Sequence, residues 1–354
     1  MTNVLAWLAA LFGLAGAGAA PASSEVAAQR PVRLTVAASG DLLIHSPVAQ
    51  RALALGGGRS YDFAPLFAPV RRRIAGADLA LCHIETPLVP GPVQGYPSFR
   101  TPPALARSVR RVGWDACSTA SNHSLDAGEY GIGTTLRALR RAGVRATGTA
   151  RSARERRRTT MLRVRGVRVA LLSYTAISNG QVVPHPWTVN WASPRLILSD
   201  ARRARRRGAR IVIVNLHWGT EYVHSVTPPQ RELAQRLTRS PAIDAIVGQH
   251  AHVVQPIRRV NGKPVVFGEG NLISNQTAAC CAAAAQDGLI ALIDFVVRPG
   301  HRVRAPRIRY VPTWVRHPDL TVVPAAPGSA SWKRTVSVAG HRRGIAPVLR
   351  GQTP

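Results

Sequence analysis

Short apolar runs that alternate with longer, arginine-rich segments are the feature that most constrains the fold of this chain. The runs are rich in Val, Ile, Leu and Ala, and they lie at residues 32–39, 77–82, 116–120, 167–174, 211–216, 242–247 and 264–267. Continuous apolar strands separated by helices are typical of sheets whose strands are buried in βα units. The pattern therefore predicts an α/β protein.

Two of the intervening segments contain residues that are typical of helix ends. Thr227 is followed by two prolines and Gln230, which is the pattern of an N-cap with a capping box. Apolar residues recur on one face of the segment 129–142, which stops at Gly143, a residue suited to a helix C-terminus. Both segments are predicted to be helices.

The pattern changes toward the C-terminus. Residues 289–311 alternate between apolar and polar side chains, which predicts antiparallel strands. Beyond residue 312 the periodicity fades into Pro, Gly, Ser and Arg. We therefore expect one domain over residues 32–312 and a poorly ordered tail over residues 313–354.

Residues 4–20 form a continuous run of apolar or small residues, and residues 21–31 form a linker rich in Ala, Ser and Pro. Ala17-Gly18-Ala19 fits a signal-peptidase site, so residues 1–20 are interpreted as a signal peptide or an N-terminal anchor. No Lys or Arg precedes the run, which leaves both interpretations open beside an ordinary buried helix. The first two predict a protein that is secreted or membrane-anchored on the extracytoplasmic face.

The cysteines fit an exported protein. Their even number permits three pairings among Cys82, Cys117, Cys280 and Cys281, and the sequence leaves all three open. Cys82 and Cys117 lie in apolar runs, so buried free thiols are an alternative for these two. No CxxC spacing is present, which disfavours a structural zinc knuckle.

The charge of the chain is strongly positive. Its 354 residues include 47 Lys and Arg against 17 Asp and Glu, a formal charge of +30, and all but two of the basic residues are arginine. Arginine together with plentiful alanine and proline is typical of a GC-rich genome, so we interpret most of this charge as solvated surface. A nucleic-acid partner is not expected, because neither zinc-finger spacing nor stacking aromatics accompany the charge.

Polar clusters follow six of the apolar runs. They are Ser39-Gly40-Asp41, His83-Ile84-Glu85, residues 121–126, residues 217–221, residues 248–252, and Gly270-Asn271. The carboxyl ends of strands are where sites form in open α/β sheets, so one Asp, one Glu, one Asn and four His are expected to converge. Oxygen and imidazole ligands suit Zn, Mn or Fe, and the lack of thiolate clusters argues against iron–sulfur.

The spacing within the clusters favours a site for two divalent ions. His250 and His252 are two residues apart, so both point to one side of an extended loop. Asp41 offers a carboxylate to one ion, Glu85 could bridge two, and Asn122 is a neutral ligand. Each signal alone is weak, because a lone His after a strand is more often a core or loop residue; the ordered set of six is far more specific.

The amino-acid sequences of six segments resemble those of a known family. The stretches are SGDLLIHSPV, ADLALCHIETPLVP, GWDACSTASNHSLDAGEYGIGTTLRAL, NLHWGTEYVHSVTPPQRELAQRL, IDAIVGQHAHVVQPI and FGEGNLI. Over residues 32–311 the chain resembles the bacterial capsule-synthesis proteins of CapA type, which are linked to poly-γ-glutamate production. Those proteins are similar in turn to calcineurin-like metallophosphoesterases.

The resemblance implies a metallophosphoesterase-like, four-layer αββα sandwich of two mixed sheets. It also implies that Asp41, Glu85 and His252 hold one ion. The second ion would be held by Glu85, Asn122, His217 and His250.

Catalytic roles follow from the same resemblance. His123 would be the general acid, or a hydrogen-bond donor to the transition state, and Asp126 would orient it. Three further residues are candidates for substrate contact, namely Arg100, Glu221 and Asn271. Arg100 has an equally good interpretation as one surface arginine among many.

The sequence departs from the family pattern at several positions. Leu43 stands where phosphoesterases carry the His of an Asp-x-His motif, and His45 lies two residues further on. His83 replaces the usual Asn two residues before Glu85, and Ser121 replaces the first Asn of Asn-Asn-His. The first ion is therefore expected to be short of a ligand and weakly held.

Two functions are consistent with this sequence. The first is an exported, dinuclear-metal-dependent hydrolase, similar to phosphoesterases, that acts in capsule or cell-envelope polymer metabolism. The alternative is a non-catalytic accessory protein that binds or tethers an anionic envelope polymer. The expected partners are an anionic substrate or polymer and membrane-associated capsule machinery.

Overall fold

The computed structural model describes residues 30–349. The predicted signal or anchor segment, nearly all of the linker and the last five residues lie outside this range. No helix among residues 30–349 combines the length and the apolar character that crossing a membrane would require.

Strands and helices alternate along most of the described chain. The strands are β1 (Val32–Leu42), β2 (Leu79–Ile84), β3 (Ala116–Ser118), β4 (Arg145–Thr147), β5 (Thr160–Val164), β6 (Val167–Thr175), β7 (Ile211–Trp218), β8 (Ala245–His250), β9 (Ile257–Val260), β10 (Lys263–Val266), β11 (Asn271–Ile273), β12 (Asp287–Val297), β13 (Arg304–Arg316), β14 (Thr321–Pro324) and β15 (Ile345–Pro347). The α-helices are α1 (Ser46–Leu55), α2 (Arg71–Ala75), α3 (Ala104–Val112), α4 (Gly128–Arg141), α5 (Ala153–Arg156), α6 (Pro194–Arg206), α7 (Pro228–Arg239) and α8 (Ala330–Ala339). Short 3-10 helices lie at Ala64–Val70 and Ala283–Gln286.

The first sheet has the strand order β14-β13-β12-β1-β2-β3-β4, with β11 also paired to β1 and β15 to β13. Strands β1 to β4 run parallel, whereas β12 is antiparallel to both β1 and β13. The second sheet has the order β5-β6-β7-β8-β10-β9. Its four central strands are parallel and its edge strands β5 and β9 are antiparallel.

Three apolar cores separate four layers. One core lies between the two sheets and is built from residues such as Val36 and Leu81 of the first sheet and Ile213 and Val247 of the second. A second core packs helices α1 to α4 on the outer face of the first sheet. A third packs α6 and α7 on the outer face of the second. The prediction of an α/β fold with two mixed sheets in an αββα sandwich is confirmed.

The predicted strands and helices are also confirmed, with small shifts of their ends. Strand β1 continues to Leu42 and β8 to His250, so several of the polar clusters occupy the last residues of strands. Thr227 and Gln230 form the capping box at the start of α7. Helix α4 ends before Gly143, whose φ of 76° is a left-handed conformation that glycine adopts readily.

The segment expected to be a poorly ordered tail is folded as far as residue 349, and that prediction is wrong. Strands β14 and β15 both pair with β13, and α8 packs against the sheet. The buried side chains Val322, Ala339 and Ile345 anchor them. Each element is short and has few apolar residues, so it produces no periodic signal, and it is ordered by its contacts with the first sheet.

The structure contains one disulfide and two free thiols in the described residues, so none of the three complete pairings is formed. A disulfide joins Cys82 to Cys117, which face each other in the parallel pair β2–β3. Cys280 and Cys281 are free thiols next to each other near the surface. The alternative of buried free thiols at Cys82 and Cys117 is therefore wrong.

Candidate metal centre

The core between the two sheets becomes polar toward the carboxyl ends of the parallel strands. In the first sheet, Asp41 of β1 lies opposite His83 of β2, and Glu85 follows directly after β2. In the second sheet, His217 lies in β7 and His250 ends β8. All five side chains are buried, so the strands place carboxylates and imidazoles facing one another across the sandwich.

Glycines allow the strands to approach closely beside these side chains. A Cβ on Gly40 would overlap the carbonyl oxygen of Gly270, and a Cβ on Gly248 would overlap that of Phe267. Any other residue at Gly40 or Gly248 would force neighbouring backbones apart. The glycines thus fix the positions of Asp41 and His250, which follow them closely in sequence.

The structure places the ligand atoms of the first expected set close to one another. Asp41, Glu85 and His252 each offer a ligand atom, and these atoms lie within 4.8 Å of one another. His252 is central, with Nδ1 3.3 Å from Asp41 Oδ2 and Nε2 3.7 Å from Glu85 Oε1. This spacing suits one ion among three donors.

The second expected set also comes together. The ligand atoms of Glu85, His217 and His250 lie within 4.8 Å of one another. Asn122 joins them, because its Oδ1 lies 2.8 Å from His217 Nε2. Glu85 belongs to both groups, which is the placement expected of a bridging carboxylate.

His83 is a candidate ligand that the sequence did not single out. Its potential ligand atom groups with those of Asp41 and His217, and its Nε2 lies 3.9 Å from Asp41 Oδ1. Ser118 Oγ contacts the other ring nitrogen at 2.7 Å and orients the ring. The available signal was its place two residues before Glu85, where the family usually has Asn.

The lack of hydrogen-bond partners for the buried donor atoms also indicates a metal site. Buried polar atoms in proteins nearly always have a hydrogen-bond partner. Six buried atoms here have none within the described chain, namely Asp41 Oδ1, Glu85 Oε1 and Oε2, His83 Nε2, His217 Nδ1 and His250 Nδ1. Unpaired carboxylate oxygens and imidazole nitrogens gathered in one cluster are the ligands that Zn, Mn or Fe would satisfy.

Burial and mutual charge set the protonation states of the metal-free cluster. Burial lowers the pKa of His83 to about 4 and that of His250 to about 3, and it lowers the pKa of His217 as well. Burial also raises the pKa of Glu85 well above its ordinary value. Burial opposes the charge on His252 too, but the Glu85 and Asp41 carboxylates outweigh it and raise the pKa of His252 to about 10.

The turn after β8 has an uncommon backbone. His250 has φ of 93° and His252 has φ of 54°, both in the left-handed region that favours glycine. The nearby Tyr222 also has a positive φ, of 62°. Such conformations cost free energy and persist where the surrounding structure requires them, here to turn both imidazoles toward the carboxylates.

His123 and Asp126 form a hydrogen-bonded pair beside the cluster. His123 Nδ1 lies 2.8 Å from Asp126 Oδ2, which also accepts a hydrogen bond of 2.7 Å from the backbone N–H of Phe99. The edge-on ring of Phe99, 4.7 Å from the imidazole between centroids, packs against His123. The expected orienting role of Asp126 thus has a direct geometric basis.

The loop between β6 and α6 contributes two residues that the sequence did not indicate. Asn179 Oδ1 accepts a hydrogen bond of 3.1 Å from Asn122 Nδ2, and Gln181 Nε2 donates one of 2.9 Å to Asp126 Oδ1. The loop has neither periodicity nor a recognisable motif, so no sequence signal pointed to these contacts.

The three candidate substrate residues have different positions. Glu221 lies at the rim, with 43% of its side chain exposed and Oε1 4.0 Å from His252 Nε2. Arg100 is exposed and pairs with no carboxylate among residues 30–349. Asn271 is fully buried behind His252: its Oδ1 lies 3.0 Å from His252 Nδ1, and its Nδ2 donates to Gln276 and Ala285.

The expectation that Asn271 contacts substrate therefore needs correction. Both ends of its amide are occupied by protein partners, and its side chain has no exposed surface. Asn271 instead holds the ring of His252.

The fold and the buried cluster together define an αββα sandwich of two mixed sheets, with imidazoles and carboxylates gathered at the carboxyl ends of its strands. The family model described as bacterial capsule synthesis protein PGA_cap matches residues 35–276. The chain belongs to this family.

Relatives of known name agree with this assignment. The chain is 29% identical over 175 residues to the capsule biosynthesis protein CapA of Bacillus anthracis, a match that covers 48% of this chain and 42% of that protein. It is 31% identical over 173 residues to a probable polyglutamine synthesis accessory protein of Mycobacterium tuberculosis, with 45% of each chain covered. The matches thus span less than half the length of these relatives.

Solved structures of similar topology include two phosphatase-type proteins. The calcineurin-like phosphoesterase YfkN of Bacillus subtilis aligns with a TM-score of 0.48 at 12% identity, covering 87% of this chain and 96% of that one. A novel phosphatase of Mycoplasma pneumoniae aligns with a TM-score of 0.48 at 11% identity, covering 80% and 94%. At this level of identity neither alignment assigns an activity.

Proposed function

We propose that this protein is a dinuclear-metal-dependent hydrolase of phosphoesters, or of a related polar bond, in capsule or cell-envelope polymer metabolism. One observation carries the proposal. Glu85 is fully buried, both of its carboxylate oxygens lack a hydrogen-bond partner among the described residues, and it belongs to two groups of metal-ligating atoms. A carboxylate has little reason to occupy such a position without cations.

The residues would divide between two ions that share Glu85. Asp41 and His252 belong to one group, and Asn122, His217 and His250 belong to the other. His83 would add an imidazole next to Asp41. When bound, two divalent ions supply Lewis acidity, activate water and neutralise charge on a phosphoryl group.

The charge of the centre favours an anionic substrate. Asp41 and Glu85 are the carboxylates of the two expected ligand sets, Asn122 is neutral, and Glu221 lies at the rim near His252. Even with Glu221 included, three carboxylates do not balance the charge of two divalent ions, so the loaded centre would remain positive. The arginine-rich surface adds to the attraction of anions.

His123 would donate a proton to the leaving oxygen. Its Nδ1 contacts Asp126, which leaves Nε2 as the ring nitrogen without a hydrogen-bond partner in the described chain. The contact with Asp126 fixes the ring, so the proton to be donated would be held at Nε2. The hydrogen bond from Gln181 to Asp126 holds this pair in place.

Membership of the capsule-synthesis family supports an anionic envelope polymer, such as poly-γ-glutamate, as substrate or partner. The apolar residues 4–20 support an extracytoplasmic location, secreted or anchored, near membrane-associated capsule machinery. No nucleic-acid partner is proposed.

The test is metal analysis and hydrolysis by the purified chain. We expect about two Mn or Zn ions per chain after reconstitution, and hydrolysis of a generic phosphodiester that chelation abolishes. Polyglutamate is assayed in parallel to test the related polar bond. Protein that binds metal but hydrolyses neither compound, or that binds no metal, would overturn the proposal.

A second candidate is an accessory protein that binds or tethers an anionic envelope polymer without hydrolysing it. It is favoured by the name of the mycobacterial relative, a probable polyglutamine synthesis accessory protein. Replacing His217 and His250 by Ala separates the two. Polymer production that continues with this double variant supports the accessory function, and production that stops supports the hydrolase.

A further inference from the structure

A second pocket lies away from the metal centre, where the edges of the two sheets meet at β4 and β5. Its volume is about 500 Å³, and its walls come from the end of α4, from β4 to β6, and from α5 and α6. None of the candidate metal ligands lines it. The pocket is large enough to hold a small molecule.

Arginine dominates the lining. The charged residues are Arg140, Arg145, Arg151, Arg156, Arg158, Arg203, Glu155 and Asp200. Six guanidinium groups face two carboxylates, so the pocket has four positive charges in excess. Arg151 pairs with Glu155, whereas Arg140, Arg145 and Arg158 have no carboxylate within ion-pair distance among residues 30–349.

Two of these arginines are held rigidly by one buried carboxylate. Asp200 is almost fully buried and pairs with Arg156 at 2.9 Å and with Arg203. The hydroxyl of Tyr174 donates a further hydrogen bond of 2.8 Å to Asp200. A single carboxylate cannot neutralise two guanidiniums, and fixed guanidiniums lose little side-chain entropy when they bind an anion.

Unsatisfied buried atoms also line the pocket. Arg203 Nε and Thr159 Oγ1 are buried donors without a partner in the described chain, and Asn190 Oδ1 is a buried acceptor without one. Asn190 is only 7% exposed, and its Nδ2 donates to the carbonyl of Ser173 at 3.0 Å. Because buried polar atoms are normally paired, these three indicate a ligand with both acceptor oxygens and a donor group.

We propose that this pocket binds a small oligoanion that carries two or more carboxylate or phosphate groups and at least one N–H or O–H donor. The anionic groups would contact the unpaired and fixed arginines, and the donor would reach Asn190 Oδ1. A short acidic peptide and a phosphorylated sugar both have this chemistry. The site is independent of hydrolysis at the metal centre.

The experiment is calorimetric titration of the full chain after removal of metal by chelation, so that the metal centre does not capture the anion. The probes are tetraglutamate and glucose 6-phosphate. We expect saturable 1:1 binding of at least one probe, and the probe that binds more tightly identifies the source of the ligand.

Variants locate the binding. Arg145→Gln with Arg158→Gln is expected to weaken binding by about tenfold or more, because the change removes two donors of charge-assisted hydrogen bonds to the anion. The matched control is Arg71→Gln with Arg72→Gln, which removes the same charge from exposed positions of α2 and should leave the affinity nearly unchanged. Asn190→Asp adds a carboxylate inside the pocket and should abolish binding of both probes, with folding checked by thermal melting.

Two results would overturn the proposal. One is the absence of saturable binding of either probe to the metal-free chain. The other is equal weakening in both double variants, because that would mean attraction by the overall positive charge and not by this pocket. Neither depends on whether the protein hydrolyses phosphoesters, so the two proposals stand or fall separately.

Discussion

His83 Nε2 lies 3.9 Å from Asp41 Oδ1, and the two residues face each other in the parallel pair β1–β2. Phosphoesterases usually place a histidine two residues after this aspartate, where this chain has Leu43. Strand pairing brings an imidazole to the same carboxylate from the neighbouring strand. The imidazole that is missing at Leu43 is thus supplied next to Asp41 by β2.

His83→Ala tests this relationship. We expect the variant to retain about one ion fewer per chain than the native protein after dialysis, because Asp41 loses its neighbouring imidazole. Elemental analysis by mass spectrometry measures the content. His341→Ala, at an exposed position, is the matched control, and an unchanged metal content in both variants would contradict a ligand role for His83.

Asp126→Asn tests the hydrogen-bonded pair. An amide does not hold the His123 ring as the carboxylate acceptor does, so we expect kcat for an alkyl phosphodiester to fall by about 10- to 100-fold. With a nitrophenyl leaving group, which needs no proton, the loss should be much smaller. Steady-state kinetics on both substrates at equal metal content provide the comparison, and equal losses would argue against proton donation by His123.

Asn179→Ala tests the loop between β6 and α6. The change removes the acceptor for Asn122 Nδ2, so Asn122 is held less firmly beside His217. We expect a loss of kcat/KM of about 5- to 30-fold, the range that roughly 1–2 kcal/mol of a lost hydrogen bond allows. Val182→Ala, whose side chain is 87% exposed in the same loop, should have native kinetics. Native kinetics in both variants would remove Asn179 from the site.

Acidification from pH 7 to 5 is expected to destabilise the metal-free protein. Burial lowers the pKa of five histidines, to about 4 for His45 and His83, to about 3 for His250, and in the same direction for His217 and His317. The unfolded chain takes up protons at these histidines near their ordinary pKa of 6.5, before the folded protein does. The unfolded state therefore gains stability as the pH falls below 6.5.

Four other groups enter the balance. Burial raises the pKa of Glu85, Asp244 and Glu269, which opposes the trend, but these are three groups against five. His252, with a pKa of about 10, opposes the trend only between pH 7 and 6, where the unfolded chain is still partly unprotonated at this residue. Melting of chelated protein at pH 7, 6 and 5 measures the effect, and His45→Asn should make the slope shallower. A melting temperature that rises on acidification would contradict the assignment.

Most of the fold can be predicted from the sequence, because the burial of the strands leaves a visible apolar pattern. Strands buried on both faces must be continuously apolar, so β6 to β8 are visible as runs of Val, Ile and Leu. The candidate ligands were equally visible, because polar residues such as Asp41 and His217 interrupt those runs at their ends. The ordered elements after residue 316 were missed, since their stability comes from partners far away in the sequence.

Contacts between loops could not be predicted for a related reason. Asn179 and Gln181 gain a role only when the β6–α6 loop folds back over Asn122 and Asp126. Asn271 follows an apolar run, as the candidate metal ligands do, and the sequence therefore predicts that it is available to substrate. The folded structure is needed to show that the side-chain amide of Asn271 contacts His252.

The three ligand groups that contain Asp41 or Glu85 all draw on both sheets. Asp41, His83 and Glu85 come from the first sheet, whereas His217, His250 and His252 come from the second. A bound ion would consequently act as a cross-link between the two layers, opposing their separation much as a disulfide opposes separation of two strands. Metal binding and cohesion of the two sheets would then depend on the same contacts. A chain that has formed only one sheet would have neither a complete ligand group nor this cross-link.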